Sequence, residues 1–190
     1  MAHPVTQNPE YCGASVQEET YLVQPGTQGI KNVVIQIEGI ERGKKPSHSP
    51  LLIENKHCHF IPHLLVEMAG DTFEVRNSDP GLHNTHLHLE EASILNVAMP
   101  PGGRNVKRPL PAPGIVDIRC DARKFMQGWL VVTDNPYAAI TDEEGNYKIS
   151  GIPPGTYKVK IWHEGLPEEE KEVMISPGGK TRLNLSLGLK

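Results

Sequence analysis

Histidine, cysteine and methionine, whose side chains donate nitrogen or sulfur to metal ions, are concentrated in two stretches of this sequence. Six of the nine histidines lie between His57 and His88, and Cys120 is followed by Met126 within the same short loop. Two imidazoles and one thiolate, with a weak axial thioether, make up a blue-copper site. Such a site takes one histidine from one loop and its other ligands from a later hairpin. These residues therefore predict a copper centre where a rigid fold joins the two loops.

The elements that must hold these loops are β-strands. Short runs of β-forming residues between turn residues recur along the chain, and helical periodicity is almost absent. In residues 85–89, His86 and His88 alternate with two leucines, which places both histidines on one face of a strand. The turn at residues 69–71 predicts a hairpin. Strands at this spacing favour an all-β protein built from sandwiches. They are predicted at residues 32–38, 64–67, 72–76, 85–89, 115–120, 129–133, 147–149, 157–162, 171–175 and 181–187.

Composition narrows the classes of function. The chain is 37% hydrophobic and 22% charged, which is typical of a folded protein, and its formal net charge is -4. No basic stripe predicts nucleic-acid binding, and no uncharged run is long enough to predict a membrane span. The sequence contains no Ser/His/Asp arrangement, phosphate-binding glycine loop or paired-carboxylate motif, so we do not predict an enzyme, and copper-dependent redox activity is the one enzymatic alternative left open. The first residues, Met1 to Pro4, lack the apolar core of a signal peptide, which leaves a cytosolic protein or a mature exported one.

The three cysteines, Cys12, Cys58 and Cys120, leave two interpretations open. An odd count in an exported protein favours one disulfide and one thiol kept for another purpose. Pairing Cys12 with Cys58 would tie the N-terminus to the next domain and close a loop of about 46 residues, worth roughly 4 kcal/mol in the chain-entropy model. Three buried, inert thiols are the alternative.

Two segments resemble the ligand loops of cupredoxins. Residues 77–84, Asn-Ser-Asp-Pro-Gly-Leu-His-Asn, resemble the segment that carries the first ligand histidine, which is His83 here. Residues 118–126, Ile-Arg-Cys-Asp-Ala-Arg-Lys-Phe-Met, resemble the ligand loop C-D-x-H-x-W-M. The resemblance spans roughly residues 51–133 and implies a Greek-key β-sandwich. It also implies one copper ion held by His83, Cys120 and axial Met126, for electron transfer to a redox partner protein or for copper handling.

Within this family the sequence is most similar to plastocyanin-like proteins often labelled methylamine-utilisation or carboxypeptidase regulatory-like proteins. These carry K-x-C-x-F-x-P-H, found here at residues 56–63, and D/N-P-x-x-C-G, found here at residues 8–13. The family is exported, so the resemblance implies a periplasmic or extracellular protein. With export, we predict a Cys12–Cys58 disulfide and a Cys120 that is free or bound to metal.

One position departs from the family pattern. Arg123 stands where the second ligand histidine of the loop is expected, and a guanidinium has no lone pair to donate to a metal. Either another imidazole completes the site, or the site holds no metal and the protein is a structural or protein-interaction module. We predict His86 or His63 as the substitute ligand, with His88 a further candidate. His86 lies three residues after His83, a separation that a turn leading into a strand could fold onto one ion.

The C-terminal part resembles a second family. Residues 141–160, Thr-Asp-Glu-Glu-Gly-Asn-Tyr-Lys-Ile-Ser-Gly-Ile-Pro-Pro-Gly-Thr-Tyr-Lys-Val-Lys, resemble the carboxypeptidase regulatory-like, transthyretin-like β-sandwich. Strands precede this turn in such domains, and only residues 29–38 could supply them here. The predicted organisation is a segment, 1–50, that contributes strands to the C-terminal sandwich, a cupredoxin-like domain at 51–134, and the smaller sandwich at 135–190. The cupredoxin-like domain is then nested in the sandwich; the alternative is two domains in succession.

Overall fold

The computed structural model describes residues 2–5, 8–17, 19–44 and 51–188, and the regular secondary structure of these residues is almost entirely β-strand. One short helix, α1 (Pro9–Cys12), follows the first strand. None of the helices in the described part is long and apolar enough to cross a membrane. The strands are β1 (Ala2–Pro4), β2 (Ser15–Gln17), β3 (Val34–Ile37), β4 (Leu51–Lys56), β5 (His59–Ile61), β6 (Leu64–Met68), β7 (Thr72–Asn77), β8 (His83–Leu89), β9 (Ala92–Met99), β10 (Val106–Pro109), β11 (Gly114–Arg119), β12 (Gln127–Thr133), β13 (Ala138–Ile140), β14 (Gly155–His163) and β15 (Leu166–Ile175).

The first compact unit contains Met1–Glu19 and His48–Asp134. It has a four-stranded sheet of order β10-β7-β4-β5, a five-stranded sheet of order β6-β12-β11-β8-β9, and the small β1-β2 pair. Strands β4 and β7 are parallel, as are β6 and β12, while the other neighbours are antiparallel. Side chains of both large sheets form one apolar core, because alternate residues of each strand point inwards. Its fully buried members include Ile53, Phe60, Phe73, Val75, Leu87, Val116, Ile118 and Leu130.

Residues 1–19 belong to this first unit, whereas the strand that the segment 1–50 contributes to the C-terminal sheet is β3. Cys12 is joined to Cys58 by a disulfide, with 5.1 Å between the two Cα atoms. Val5 and Val16 are buried in the same core as the two large sheets. The covalent link and this apolar packing account for the placement of the N-terminal segment.

The second unit contains Thr20–Ser47 and Asn135–Lys190. Its four-stranded sheet has the order β13-β3-β14-β15, so β3 lies between two strands that follow it by about a hundred residues or more. Ile35 of β3 faces Ala139 of β13 on one side and Ile161 of β14 on the other. The chain thus leaves this sheet after β3, builds most of the first unit and returns at β13. The central position of β3 makes the sheet depend on residues far apart in sequence.

The segments 147–149 and 181–187 are not strands in the structure, contrary to the prediction. Their alternating apolar side chains nevertheless pack against the sheet, since Tyr147, Leu183 and Leu185 contact the buried cluster around Ile35 and Ile161. The Tyr147 hydroxyl donates to the Leu183 carbonyl at 2.7 Å. Alternation therefore predicted the buried face of these segments correctly, although their backbones carry no strand ladder.

Candidate metal centre

The three histidines of strand β8 lie on two opposite faces of the five-stranded sheet. His83, Thr85 and Leu87 are fully buried and point into the core of the first unit, whereas His86 and His88 are half-buried on the opposite face. This follows from the two-residue period of a strand, in which residues three apart point in opposite directions. His86 therefore cannot share an ion with His83. The expected turn between them is absent because β8 already begins at His83.

Both ring nitrogens of His83 are engaged. Nε2 lies 2.8 Å from Oδ2 of Asp79, and Nδ1 lies 3.3 Å from Nη1 of Arg123. Because a carboxylate only accepts and a guanidinium only donates, the Nε2–H donates to Asp79 and Nδ1 accepts from Arg123. Burial, followed by the charge of Arg123, lowers the pKa of His83, and the hydrogen bond to Asp79 opposes this only in part.

Asp79 is a buried acceptor that organises the loop around His83. Besides the imidazole it accepts the backbone N–H groups of His57 at 2.6 Å and Cys58 at 2.9 Å. Its own N–H donates to Oδ1 of Asn77 at 3.0 Å. Sequence reasoning did not single out Asp79, although it lies in the segment that resembles the first cupredoxin ligand loop. The signal that could have found it is an aspartate within a turn cluster, where a carboxylate commonly accepts backbone N–H groups.

Arg123 lies inside the protein, with only 6% of its surface exposed. Nη1 donates to the Leu82 carbonyl at 2.6 Å, and Nη2 donates to Oδ1 of Asn8 at 2.8 Å and to the hydroxyl of Tyr11 at 2.6 Å. The guanidinium carbon also lies 5.8 Å from the centre of the Tyr11 ring, within the range of a cation–π contact. Together with its bond to His83, the guanidinium joins three segments of the first unit.

The other two predicted ligands, Cys120 and Met126, are buried in the apolar core of the first unit at 1% and 2% exposure. Cys120 is a free thiol. The loop between them is a tight one, with the N–H of Arg123 donating to the Cys120 carbonyl at 3.2 Å and the N–H of Met126 donating to the Arg123 carbonyl at 2.8 Å. This turn directs the Arg123 side chain inwards.

His63, the remaining predicted ligand, lies just before β6 and pairs through Nδ1 with Oε2 of Glu19 at 3.3 Å. Strand β6 is three places from β8 in the five-stranded sheet, a backbone separation of about 14 Å. The structure therefore does not bring His63 to His83. Neither predicted substitute imidazole, His63 or His86, fills the position left by the missing ligand.

The arrangement of His83 and Arg123 does not fit a copper ion. The lone pair of His83 that could face a metal accepts from a permanently charged guanidinium, which itself has none to offer. Ligand atoms of Cys58, Asp79 and His83 lie within 4.8 Å of one another, but the Cys58 sulfur is bound in the disulfide and is no thiolate donor. Of the three groups only the carboxylate and the imidazole retain any ligand capacity, and they are hydrogen-bonded to each other.

Together these features define an all-β protein of two compact units, one of which has a buried Asp79–His83–Arg123 chain at the candidate centre. Residues 128–188 match the model of the carboxypeptidase regulatory-like domain. A comparison with curated proteins gave no match.

Solved structures similar to the chain include several cupredoxins. A copper-containing nitrite reductase from Thermus scotoductus SA-01 is 17% identical, with 53% of this chain and 26% of that chain covered and a TM-score of 0.42. The present chain thus spans about a quarter of that enzyme's length. Amicyanin from Paracoccus versutus is 16% identical, with 52% and 97% covered and a TM-score of 0.40. A reduced amicyanin mutant is 20% identical, with 52% and 98% covered and a TM-score of 0.40.

Proposed function

We propose that this chain is an exported β-sandwich protein in which the Arg123 guanidinium stands in for the copper ion of a cupredoxin-like centre. The first unit then serves as a structural or protein-interaction module and not as an electron carrier. The single observation that carries the proposal is the 3.3 Å contact between Nη1 of Arg123 and Nδ1 of His83.

The guanidinium can link two loops of the protein, as a bound metal ion would. A copper ion at this centre would link the loop of His83 to the loop of Cys120 and Met126. Arg123 also links these two loops, through Leu82 and His83 on one side and its own backbone on the other. Arginine suits this role because its planar fork of five donors can satisfy several acceptors at once and stays charged at all physiological pH values.

The charge of the buried guanidinium is compensated along a chain of hydrogen bonds. The guanidinium needs no carboxylate in direct contact, because His83 is hydrogen-bonded both to Arg123 and to the carboxylate of Asp79. Neutral His83 is suited to this, since it accepts on one nitrogen and donates on the other. None of these three groups changes oxidation state, so we propose neither a redox cycle nor an enzymatic activity for this arrangement.

Export is supported by the Cys12–Cys58 disulfide, since disulfides form and persist mainly in oxidising compartments. A periplasmic or extracellular location suits a structural module that needs covalent support. Any partner would be a protein that contacts the outside of a sandwich and not one that exchanges electrons with a metal.

The test compares copper binding by the parent and by Arg123→His, each purified with one equivalent of Cu(II). The parent should show no thiolate-to-copper absorption band. Arg123→His removes the guanidinium, supplies the missing imidazole and should produce such a band, which Cys120→Ser in the same background should abolish. Lys124→His, at the exposed neighbouring position, is the matched control and should resemble the parent. A Cys120-dependent band in the parent would overturn the proposal and favour copper handling through His83, Cys120 and Met126.

A further inference from the structure

The outer face of the five-stranded sheet carries a second group of polar side chains, which the candidate centre does not use. His86 and His88 project from this face of β8, and Ser93 and Asn96 belong to the adjacent strand β9. Asp121 follows β11, the neighbour of β8 on the other side. Because β8 alternates, this group lies on the opposite face from His83 and is independent of the Arg123 network.

Asp121 fixes the orientation and tautomer of His86. Its carboxylate oxygens lie 3.0 and 3.2 Å from Nδ1 of His86, and it also accepts from Asn84 at 2.9 Å and from Asn96 at 3.2 Å. Because a carboxylate only accepts hydrogen bonds, Nδ1 of His86 donates its proton to Asp121. The lone pair of His86 is then on Nε2, which lies 2.9 Å from the hydroxyl of Ser93.

His88 is brought unusually close to His86. Residues i and i+2 of a regular strand are about 6.6 Å apart. Here the two ring centres are 3.8 Å apart, with an angle of 39° between the planes. The register of β8 against β9 shifts between Leu87 and His88, and such a bulge re-aims side chains. After the shift His88 pairs with Ser93, the residue that Nε2 of His86 also approaches.

Two further observations favour a cation at this place. Nδ1 of His88 is buried and has no hydrogen-bond partner among the described residues. On β11, Asp117 is opposite His88 and Arg119 is opposite His86, and these two residues form an ion pair. Asp117, Arg119 and Asp121 together therefore carry one net negative charge beside the two histidines.

We propose that His86 and His88 bind one divalent first-row transition-metal ion of the zinc type, with Asp121 as a positioning residue. Nε2 of His86 and a ring nitrogen of His88 are the protein ligands, and the Ser93 hydroxyl and water complete the coordination. Imidazole is a common ligand for such ions. A carboxylate that accepts the other N–H of a ligand histidine fixes its tautomer and raises its basicity, and loss of such a partner typically weakens metal binding about 10- to 100-fold.

Calorimetric titration of the intact protein with ZnCl2 near pH 7.5 tests the proposal. We expect one equivalent to bind. His86→Gln and His88→Gln should each weaken binding more than tenfold, and His57→Asn, an exposed histidine outside the group, should leave it unchanged. Cys120→Ser should also leave it unchanged, so that this result and the copper test above can fail independently. Binding of equal affinity in the parent and in His86→Gln would overturn the proposal.

The role of Asp121 is tested by a measurement whose result differs from that of a loss of folding. Nitrogen NMR of the parent should show a single Nδ1–H tautomer for His86, and zinc should shift its Nε2 signal while the signals of His83 stay in place. Asp121→Asn should mix the tautomers and weaken zinc binding about 10- to 100-fold, with Asp121→Glu recovering part of the loss. Unchanged His86 and His88 signals in the parent at saturating zinc would refute the site without reference to any variant.

Discussion

Replacing Arg123 by methionine removes the guanidinium but keeps an unbranched apolar side chain of similar reach. The four acceptors that lose a donor are the Leu82 carbonyl, His83 Nδ1, Asn8 Oδ1 and the Tyr11 hydroxyl. A hydrogen bond to a charged group contributes roughly 1.5–3 kcal/mol net, but bonds that share one donor group do not add. The variant also avoids the cost of burying a charge. We therefore expect a loss of about 3 kcal/mol in the free energy of unfolding of the first unit.

Urea unfolding measures this loss. Trp129 belongs to the first unit and Trp162 to the second, so Trp129 fluorescence in a Trp162→Phe background reports the first unit. With a urea slope of about 1–3 kcal/mol per M, a loss of about 3 kcal/mol lowers the midpoint by about 1–3 M. Arg123→Lys should lose almost as much, because one ammonium cannot reach all four acceptors. Lys124→Ala, the exposed neighbour, should stay within about 0.5 kcal/mol. If Arg123→Met also stays within that margin, the guanidinium is not a structural link and the reasoning fails.

Three further outcomes are expected. The pKa of His83 is lowered in the folded protein, so below about pH 6.5 the unfolded chain binds a proton on His83 while the folded protein does not. The free energy of unfolding should therefore fall by up to about 1.4 kcal/mol per pH unit from pH 6.5 to 5.5. His83→Gln should flatten this part of the urea-unfolding pH profile, and an unchanged slope would contradict the lowered pKa. Cys12→Ser with Cys58→Ser should cost roughly 4 kcal/mol in urea unfolding, and thiol counting of the denatured, unreduced parent should find one thiol, where three would contradict the disulfide. A chain that begins at Leu51 lacks β3 and should lose the dispersed NMR signals of the second unit; retained dispersion would show that β3 is dispensable.

The sequence predicted strand faces well and strand partners poorly. Alternation in residues 85–89 placed His86 and His88 on one face, as the structure has them. The turn at 69–71 instead predicted a hairpin, yet β6 pairs with β12 and β7 pairs with β4 and β10. Gly70 donates its N–H to the Leu110 carbonyl, which follows β10, at 2.9 Å. The turn thus connects β6 of the five-stranded sheet to β7 of the four-stranded sheet. Turn chemistry is local, whereas the choice of sheet depends on contacts with residues far along the chain.

The same limit explains why the role of Arg123 was missed. The resemblance located the position and its altered residue type, but the partners Asn8 and Tyr11 are 115 and 112 residues away in sequence. No periodicity or spacing rule links such positions. The pairing of Cys12 with Cys58 was accessible because cysteine has few possible roles, whereas an asparagine and a tyrosine near the N-terminus have many.

A fold that is linked by a metal ion and a fold that is linked by a guanidinium depend on different solution conditions. Metal binding requires deprotonated ligands and a supply of the ion, so a chelator or acid can remove the link. The Arg123 guanidinium is covalently part of the chain and cannot be deprotonated in the physiological range. Its weak point is the acceptor, because protonated His83 has no lone pair on Nδ1 and would place two cations 3.3 Å apart. The centre that we propose would therefore be independent of copper but sensitive to acid, because burial and then the charge of Arg123 lower the pKa of His83.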